Sequence, residues 1–215
     1  MVTTVYFVRH GESLGNTKGF FQGHTNCDLT ENGILQLELL KERCKDIAYD
    51  AIYSSPLKRT LDTAAAVNFH HKLPIIVEDG LIEINGGVFE GKLWTELPKL
   101  YPAEFAVFRN NFHLFNPEDG ESVRTVYDRM IATVERLVMQ NKGKTIILVS
   151  HGCSIKNYLC YATSTPFEKV GELAWSDNTS ISKVIFDNAR TPQVEFMNDA
   201  THLDELKVAK PTYWK

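Results

Sequence analysis

Apolar runs and polar breaks alternate along the chain in a way that predicts strands and helices in turn. The first run, "VYFVRHGES" over 5–13, stops abruptly at Arg9, His10 and Gly11. Residues 2–8 read as a strand with a polar end. Residues 31–45 read as a helix, with Thr30 as its N-cap and Ile34, Leu35, Leu37, Leu39 and Leu40 as its apolar content. "DAIYSS" (50–55) reads as a second strand, and "PLKRTLDTAAAVNF" as the helix behind it, with Pro56 at its opening. "LPIIVED" (73–79) reads as a third strand. Residues 94–115 carry Trp94, Tyr101, Phe105, Phe108, Phe112 and Phe115. They read as helical with a break near Pro102, so a helical covering segment is expected at about 92–118. "PEDGES" (117–122) turns into a long helix over about 121–141. "KTIILVS" (144–150) is almost wholly apolar, as a strand buried on both faces is. A helix follows over about 154–162. "SISKVIFD" and "QVEFMN" are late strands, expected to form an antiparallel pair.

Strands that alternate with helices predict an α/β fold with an open, mostly parallel central sheet and helices on both faces. No internal repeat and no low-complexity linker interrupts it, so residues 1–215 read as a single domain. In such sheets ligands bind outside the carboxyl ends of the strands. Two strands end alike there, in Arg9-His10-Gly11 and Ser150-His151-Gly152. The second ends in Ser54-Ser55-Pro56, with Arg59 in the first turn of the next helix. The third runs into Glu78, Asp79 and then Glu83. Parallel neighbours would bring two histidines, two arginines and an acid to one place.

The formal net charge is −4, so there is no basic field for a nucleic acid backbone, and any anion site must be local. The N-terminus shows no cationic segment ahead of a long apolar run, and no stretch approaches the roughly 18 apolar residues of a membrane span. Cys27, Cys44, Cys153 and Cys160 are scattered and form no CxxC pair. They read as thiols in a reducing compartment, which predicts a cytoplasmic protein.

Guanidinium groups bind phosphate oxygens through paired hydrogen bonds and stay charged. A second histidine adds a donor when protonated, and helix N-termini add backbone N–H groups. An imidazole inside such a pocket is a competent nucleophile towards phosphorus, and a carboxylic acid can protonate the displaced alkoxide. Gly11 would let the backbone approach the anion.

The chain resembles the histidine phosphatase superfamily, also called the phosphoglycerate mutase-like family. The resemblance rests on "RHGES" with Asn16, "FQG" (21–23), "LTENG" (29–33), "YSSPLKRTLDTA" (53–64), "LIEINGGVFEG" (81–91), "DGES" (119–122), "VSHG" (149–152) and "NTSIS" (178–182). These occur in the family's order over most of the chain. The resemblance implies that His10 attacks and becomes a phosphohistidine, while Arg9, Arg59 and His151 hold the phosphoryl oxygens. It implies that Glu83 protonates the leaving group and then activates water; Glu78, Asp79 and Glu90 compete for that role, Glu90 first. Asn16, Gln22 and Gly23 would line the substrate mouth. No metal and no cofactor is implied, since two arginines neutralise the charge. His24, His70, His71, His113 and His202 show no zinc spacing. The family often places an aspartate and a proline before the LT pair, whereas this chain has "HTNCDLT", with Asn26 and Asp28 in roughly those places.

The stretch "EINGGVFEGKLW" and the late "NDATHL" resemble the phosphatase branch, including α-ribazole phosphatases and broad-specificity types. Hydrolysis of a small phosphomonoester is therefore the expected reaction. The alternative is a cofactor-dependent phosphoglycerate mutase, and a further one an inactive relative that only binds phosphorylated ligands. Glu121 and Ser122 read as helix-start residues and Cys153 as a packed residue. Trp94 or Phe115 would wall the pocket and favour a substrate with an apolar part. No heptad seam appears, and the sequence leaves the oligomeric state open.

Overall fold

The computed structural model describes residues 1–187 and 191–206. The last nine residues of the expected domain, 207–215, lie outside the described residues.

The strands are β1 (Thr3–Arg9), β2 (Ala51–Ser54), β3 (Ile75–Val77), β4 (Thr145–Ser150), β5 (Ile181–Phe186) and β6 (Pro192–Asp199). They form one sheet in the order β3-β2-β4-β1-β5-β6. The pairs β1–β4, β2–β4 and β2–β3 are parallel; β1–β5 and β5–β6 are antiparallel, as expected for the late pair. The helices are α1 (Leu14–Lys18), α2 (Glu31–Cys44), α3 (Lys58–Val67), α4 (Leu97–Leu100), α5 (Pro102–Asn110), α6 (Val123–Gln140) and α7 (Gly152–Ala162).

β4 shows why the sheet needs helices on both faces. Ile146 and Leu148 join a cluster with Met130 and Val134 of α6 and Ile155 and Tyr158 of α7. Ile147 and Val149 join Leu37 and Leu40 of α2 and Ala64 and Val67 of α3. A period of two along the strand thus feeds two cores. Each fully buried Ile or Leu contributes about 2–3 kcal/mol to them.

Local signals place the helix starts. Thr30 Oγ1 accepts from Gly33 N at 2.9 Å and caps α2. Ser122 Oγ accepts from Thr125 N and caps α6. Pro56 does not open α3: Leu57 is the N-cap and Lys58 the first helical residue. The third strand is shorter than 73–79, because Ile76 and Val77 are exposed and the strand is the sheet edge. The covering segment is helical with its break at Tyr101–Pro102, where α4 ends and α5 begins. Its aromatic rings pack on Phe21 and Phe89.

Candidate active site

β1 and β4 are adjacent, parallel and in register at Arg9 and Ser150, so their polar ends emerge side by side. His10 follows β1 and His151 follows β4, where it is the N-cap of α7. Their ring centroids lie 5.3 Å apart. Both rings are buried.

His10 Nδ1 lies 2.8 Å from the Gly11 carbonyl oxygen. A carbonyl only accepts, so Nδ1 carries the hydrogen and Nε2 keeps its lone pair. Burial, and then the charges of Arg59 and Arg9, hold the ring's pKa well below the usual histidine value. The imidazole is therefore neutral at neutral pH.

His151 Nε2 lies 2.7 Å from Ser55 Oγ, which also accepts from Leu57 N. With Ser55 donating, the ring hydrogen sits on Nδ1, a buried atom with no hydrogen-bond partner. Burial, Arg59 and His10 push this pKa well down too. His151 can thus donate while neutral, where the sequence reading needed it protonated.

Arg59 is buried and gives two donors to carbonyls, Nη1 to Thr25 at 3.1 Å and Nη2 to Gly23 at 2.7 Å. Its buried Nε has no partner. Burial lowers its pKa to about 10, so the guanidinium stays charged at neutral pH. Arg9 Nη1 donates to the Ser176 carbonyl oxygen.

Glu83 reaches the site from the turn after β3. Its carboxylate accepts from Cys153 N at 3.0 Å, Ser154 N at 3.1 Å and Ser154 Oγ at 3.2 Å, all in the first turn of α7. Two of the competing acids, Glu78 and Glu90, are engaged elsewhere. Glu78 caps Gly80 N and pairs with Arg136. Glu90 binds the backbone of residues 23–25. Glu121 pairs with Arg129, and Ser122 is a cap, as their helix-start reading predicted.

One pocket is lined by Arg9, His10, Asn16, Gln22, Glu83, Gly152 and Cys153, together with Phe20, Phe21, Trp94, Phe108, Phe112 and Trp175. Of the eight expected site residues, these include five. Arg59, His151 and Gly23 are not among the lining residues. Trp94 walls the pocket as expected, whereas Phe115 is core. Trp175 was missed: it stands alone in an irregular stretch, outside any periodic pattern.

Three polar residues have a second role. Asn16 Oδ1 accepts from Ser13 N and Ser13 Oγ and so closes the start of α1. Gln22 Oε1 accepts from Ser13 Oγ at 2.7 Å. Asn178 Nδ2 donates to the His10 carbonyl at 2.9 Å. Both glycines sit where a side chain would clash. A Cβ on Gly11 would come within 3.3 Å of the Gly33 carbonyl of α2, so Gly11 lets a helix approach. A Cβ on Gly23 would fall 2.1 Å from the Ile84 carbonyl oxygen. The departure at 24–28 also has a structural account. Asn26 Oδ1 accepts from Lys58 N at the start of α3, and Asp28 pairs with Lys58 Nζ at 3.1 Å.

A buried neutral imidazole beside two guanidiniums and a carboxylate matches one family in particular. The histidine phosphatase superfamily (branch 1) matches residues 5–200. The chain belongs to that superfamily. It is 33% identical over 204 residues to phosphoserine phosphatase 1 of Hydrogenobacter thermophilus, covering 94% of each chain. It is 31% identical to the metal-independent phosphoserine phosphatase of Arabidopsis thaliana, over 95% of this chain and 85% of that one. Among solved structures, Bacillus stearothermophilus YhfR superposes with a TM-score of 0.90 at 31% identity, over 94% of this chain and all of that one. The protein is an enzyme of the phosphoglycerate mutase-like phosphatase type. No helix among the described residues is long and apolar enough to cross a membrane.

Proposed function

We propose that the chain hydrolyses small phosphomonoesters through a phosphohistidine at His10. The observation that carries this reading is the ring itself: Nδ1 donates to Gly11, which leaves the Nε2 lone pair for phosphorus. In the first step the N–P bond forms and the bond from phosphorus to the leaving oxygen breaks. Arg9, Arg59 and the Nδ1 hydrogen of His151 hold the phosphoryl oxygens as the charge shifts. Glu83 gives its proton to the leaving oxygen. In the second step water attacks the phosphohistidine, Glu83 takes its proton, and the N–P bond breaks to release phosphate. The guanidiniums supply the charge that a metal supplies at other phosphoryl-transfer sites. Asn16 and Gln22 stand at the mouth, and Gly23 acts through the loop it belongs to.

The leaving alcohol meets mainly aromatic rings: Phe20, Phe21, Trp94, Phe108, Phe112 and Trp175. That lining favours an alcohol with a flat or apolar part over a small zwitterion such as phosphoserine. The phosphoserine phosphatase names of two relatives support hydrolysis over mutase chemistry. The four cysteines are free thiols, which supports action in the cytoplasm. We take the chain as one functional domain.

Brief incubation with a radiolabelled phosphomonoester tests the proposal. Wild type should carry an acid-labile label, and His10→Ala none. Label retained in His10→Ala would remove His10 as nucleophile. Interconversion of 3- and 2-phosphoglycerate with little hydrolysis of p-nitrophenyl phosphate would replace the phosphatase with a mutase.

A further inference from the structure

Glu83 stands on a turn whose preceding carbonyls are all bound by side chains. Arg129 of α6 does most of this. Its Nη1 donates to the carbonyls of Gly80 at 2.8 Å and Ile82 at 2.9 Å. Ser150 Oγ donates to the Leu81 carbonyl at 2.6 Å, and Ser154 Oγ to that of Ile82 at 2.6 Å. The other side of the Arg129 fork is fixed as well. Nε and Nη2 meet the two Glu121 oxygens at 2.9 and 2.8 Å. Arg129 is not among the residues that line the His10 pocket, and the bonds of its fork go to Glu121 and to the backbone of residues 80 and 82.

The arrangement uses what only a guanidinium has. A planar fork can hold one carboxylate with one edge and two carbonyls with the remaining nitrogen. A lysine ammonium is a point donor and cannot span both sides. Glu121 holds the fork in one orientation, and the fork holds residues 80–82. One residue further on, Glu83 turns towards α7 and the pocket. A proton donor displaced by even an ångström loses much of its effect, because proton transfer requires hydrogen-bond reach.

We propose that Arg129, oriented by Glu121, is a positioning residue for the Glu83 carboxyl group. This rests on Glu83 being the general acid. Its consequence is selective. A leaving group of high pKa needs the proton, and one of low pKa departs without it. Loss of the fork should therefore slow the first phosphoryl transfer from alkyl phosphates and spare that from 2,4-dinitrophenyl phosphate.

The experiment compares Arg129→Lys, Arg129→Met and the milder Glu121→Gln with Glu83→Gln on both substrates. For the Arg129 variants we expect kcat/KM on an alkyl phosphate, which reports the first phosphoryl transfer, to fall about tenfold or more. On 2,4-dinitrophenyl phosphate kcat/KM should stay within about threefold, whereas kcat also falls where hydrolysis of the phosphohistidine, which uses Glu83 as base, limits turnover. Arg129→Met added to Glu83→Gln should cost alkyl phosphate hydrolysis nothing further. Equal losses of kcat/KM on both substrates, or losses that add to those of Glu83→Gln, would make Arg129 merely structural and overturn the inference. If Glu83→Gln itself lowers kcat/KM equally for both substrates, the acid role of Glu83 falls, and the inference with it. Where Arg129→Met fails to fold, Glu121→Gln and Arg129→Lys give the same comparison.

Discussion

The Arg59 guanidinium and the Glu90 carboxylate hold the same three-residue loop through opposite backbone groups. Arg59 donates to the carbonyls of Gly23 and Thr25. Glu90 accepts from the N–H groups of Gly23, His24 and Thr25 and also from Gly86 N. A charged pair so used fixes the loop without direct contact between its members. Glu90→Gln replaces one accepting oxygen with an NH2 group that faces donors. Hydrogen bonds to charged groups are worth about 1.5–3 kcal/mol each, so a loss of about 2–4 kcal/mol is expected. Urea unfolding measures it. A change under about 0.5 kcal/mol, the scale of an ordinary surface substitution, would show that the loop does not depend on this carboxylate.

Gly23→Ala tests the same loop from inside. The added methyl would meet the Ile84 carbonyl and a Glu90 oxygen, both far inside contact distance. Overpacking of this kind costs about 1–3 kcal/mol. The loop carries the carbonyls that Arg59 grips, so turnover of every phosphomonoester should fall together. Unchanged kcat and unchanged stability would mean that the loop shifts freely.

The aromatic wall predicts selectivity. Trp175→Ala should lower kcat/KM for naphthyl phosphate by about 1 kcal/mol or more, roughly fivefold to tenfold, through lost ring contact. Glycerol phosphate, which lacks a ring, should change little. Equal effects on the two would argue that the leaving group does not rest on Trp175.

The buried histidines predict an acid-side loss of stability. His10 and His151, and less deeply His202, are pushed below their usual pKa, chiefly by burial. A group whose protonation is suppressed by folding binds more protons when unfolded. Stability is then complete above the unfolded value near 6.5 and falls as pH drops below it. Each such histidine contributes a slope that approaches about 1.4 kcal/mol per pH unit only well below the unfolded value, where the unfolded ring is fully protonated. Urea unfolding at pH 7 and 5.5 should show the fall, and His151→Gln should make it shallower. A flat profile over that range would show that the rings protonate freely in the fold. The same shift keeps His10 neutral below pH 6.5, so its protonation should not limit turnover there.

Much of the sheet was legible because buried strands are short apolar runs with polar ends. The convergence of Arg9, His10 and His151 followed from strands of equal direction ending together. Glu83 was named as the acid by resemblance, and the residue pattern alone did not separate it from Glu90. Glu83 and Glu90 lie seven residues apart in one glycine-rich stretch, and only the fold shows that one faces α7 while the other faces the 23–25 backbone. The packing role of the glycines was hidden for a similar reason: that Gly11 makes room for α2 depends on what packs beside it. Ser55 was noticed only as a strand end, yet its hydroxyl lies 2.7 Å from a ring nitrogen 96 residues away. Trp175 lacked any neighbour pattern. Local sequence encodes element type well, and long-range partners poorly.

The turn at Asn178 and Thr179 has a consequence for how the protein is made. Thr179 N bonds to the carbonyls of Arg9 and His10, and Asn178 Nδ2 to that of His10. Arg9 N in turn bonds to the Ser180 carbonyl. His10 comes early in the chain, and the Asn178 side chain that holds its carbonyl comes 168 residues later. A growing polypeptide can contain every proposed reacting group and still lack the turn that seats His10. A nascent chain on the ribosome therefore has His10 seated only once residues 178–180 have emerged.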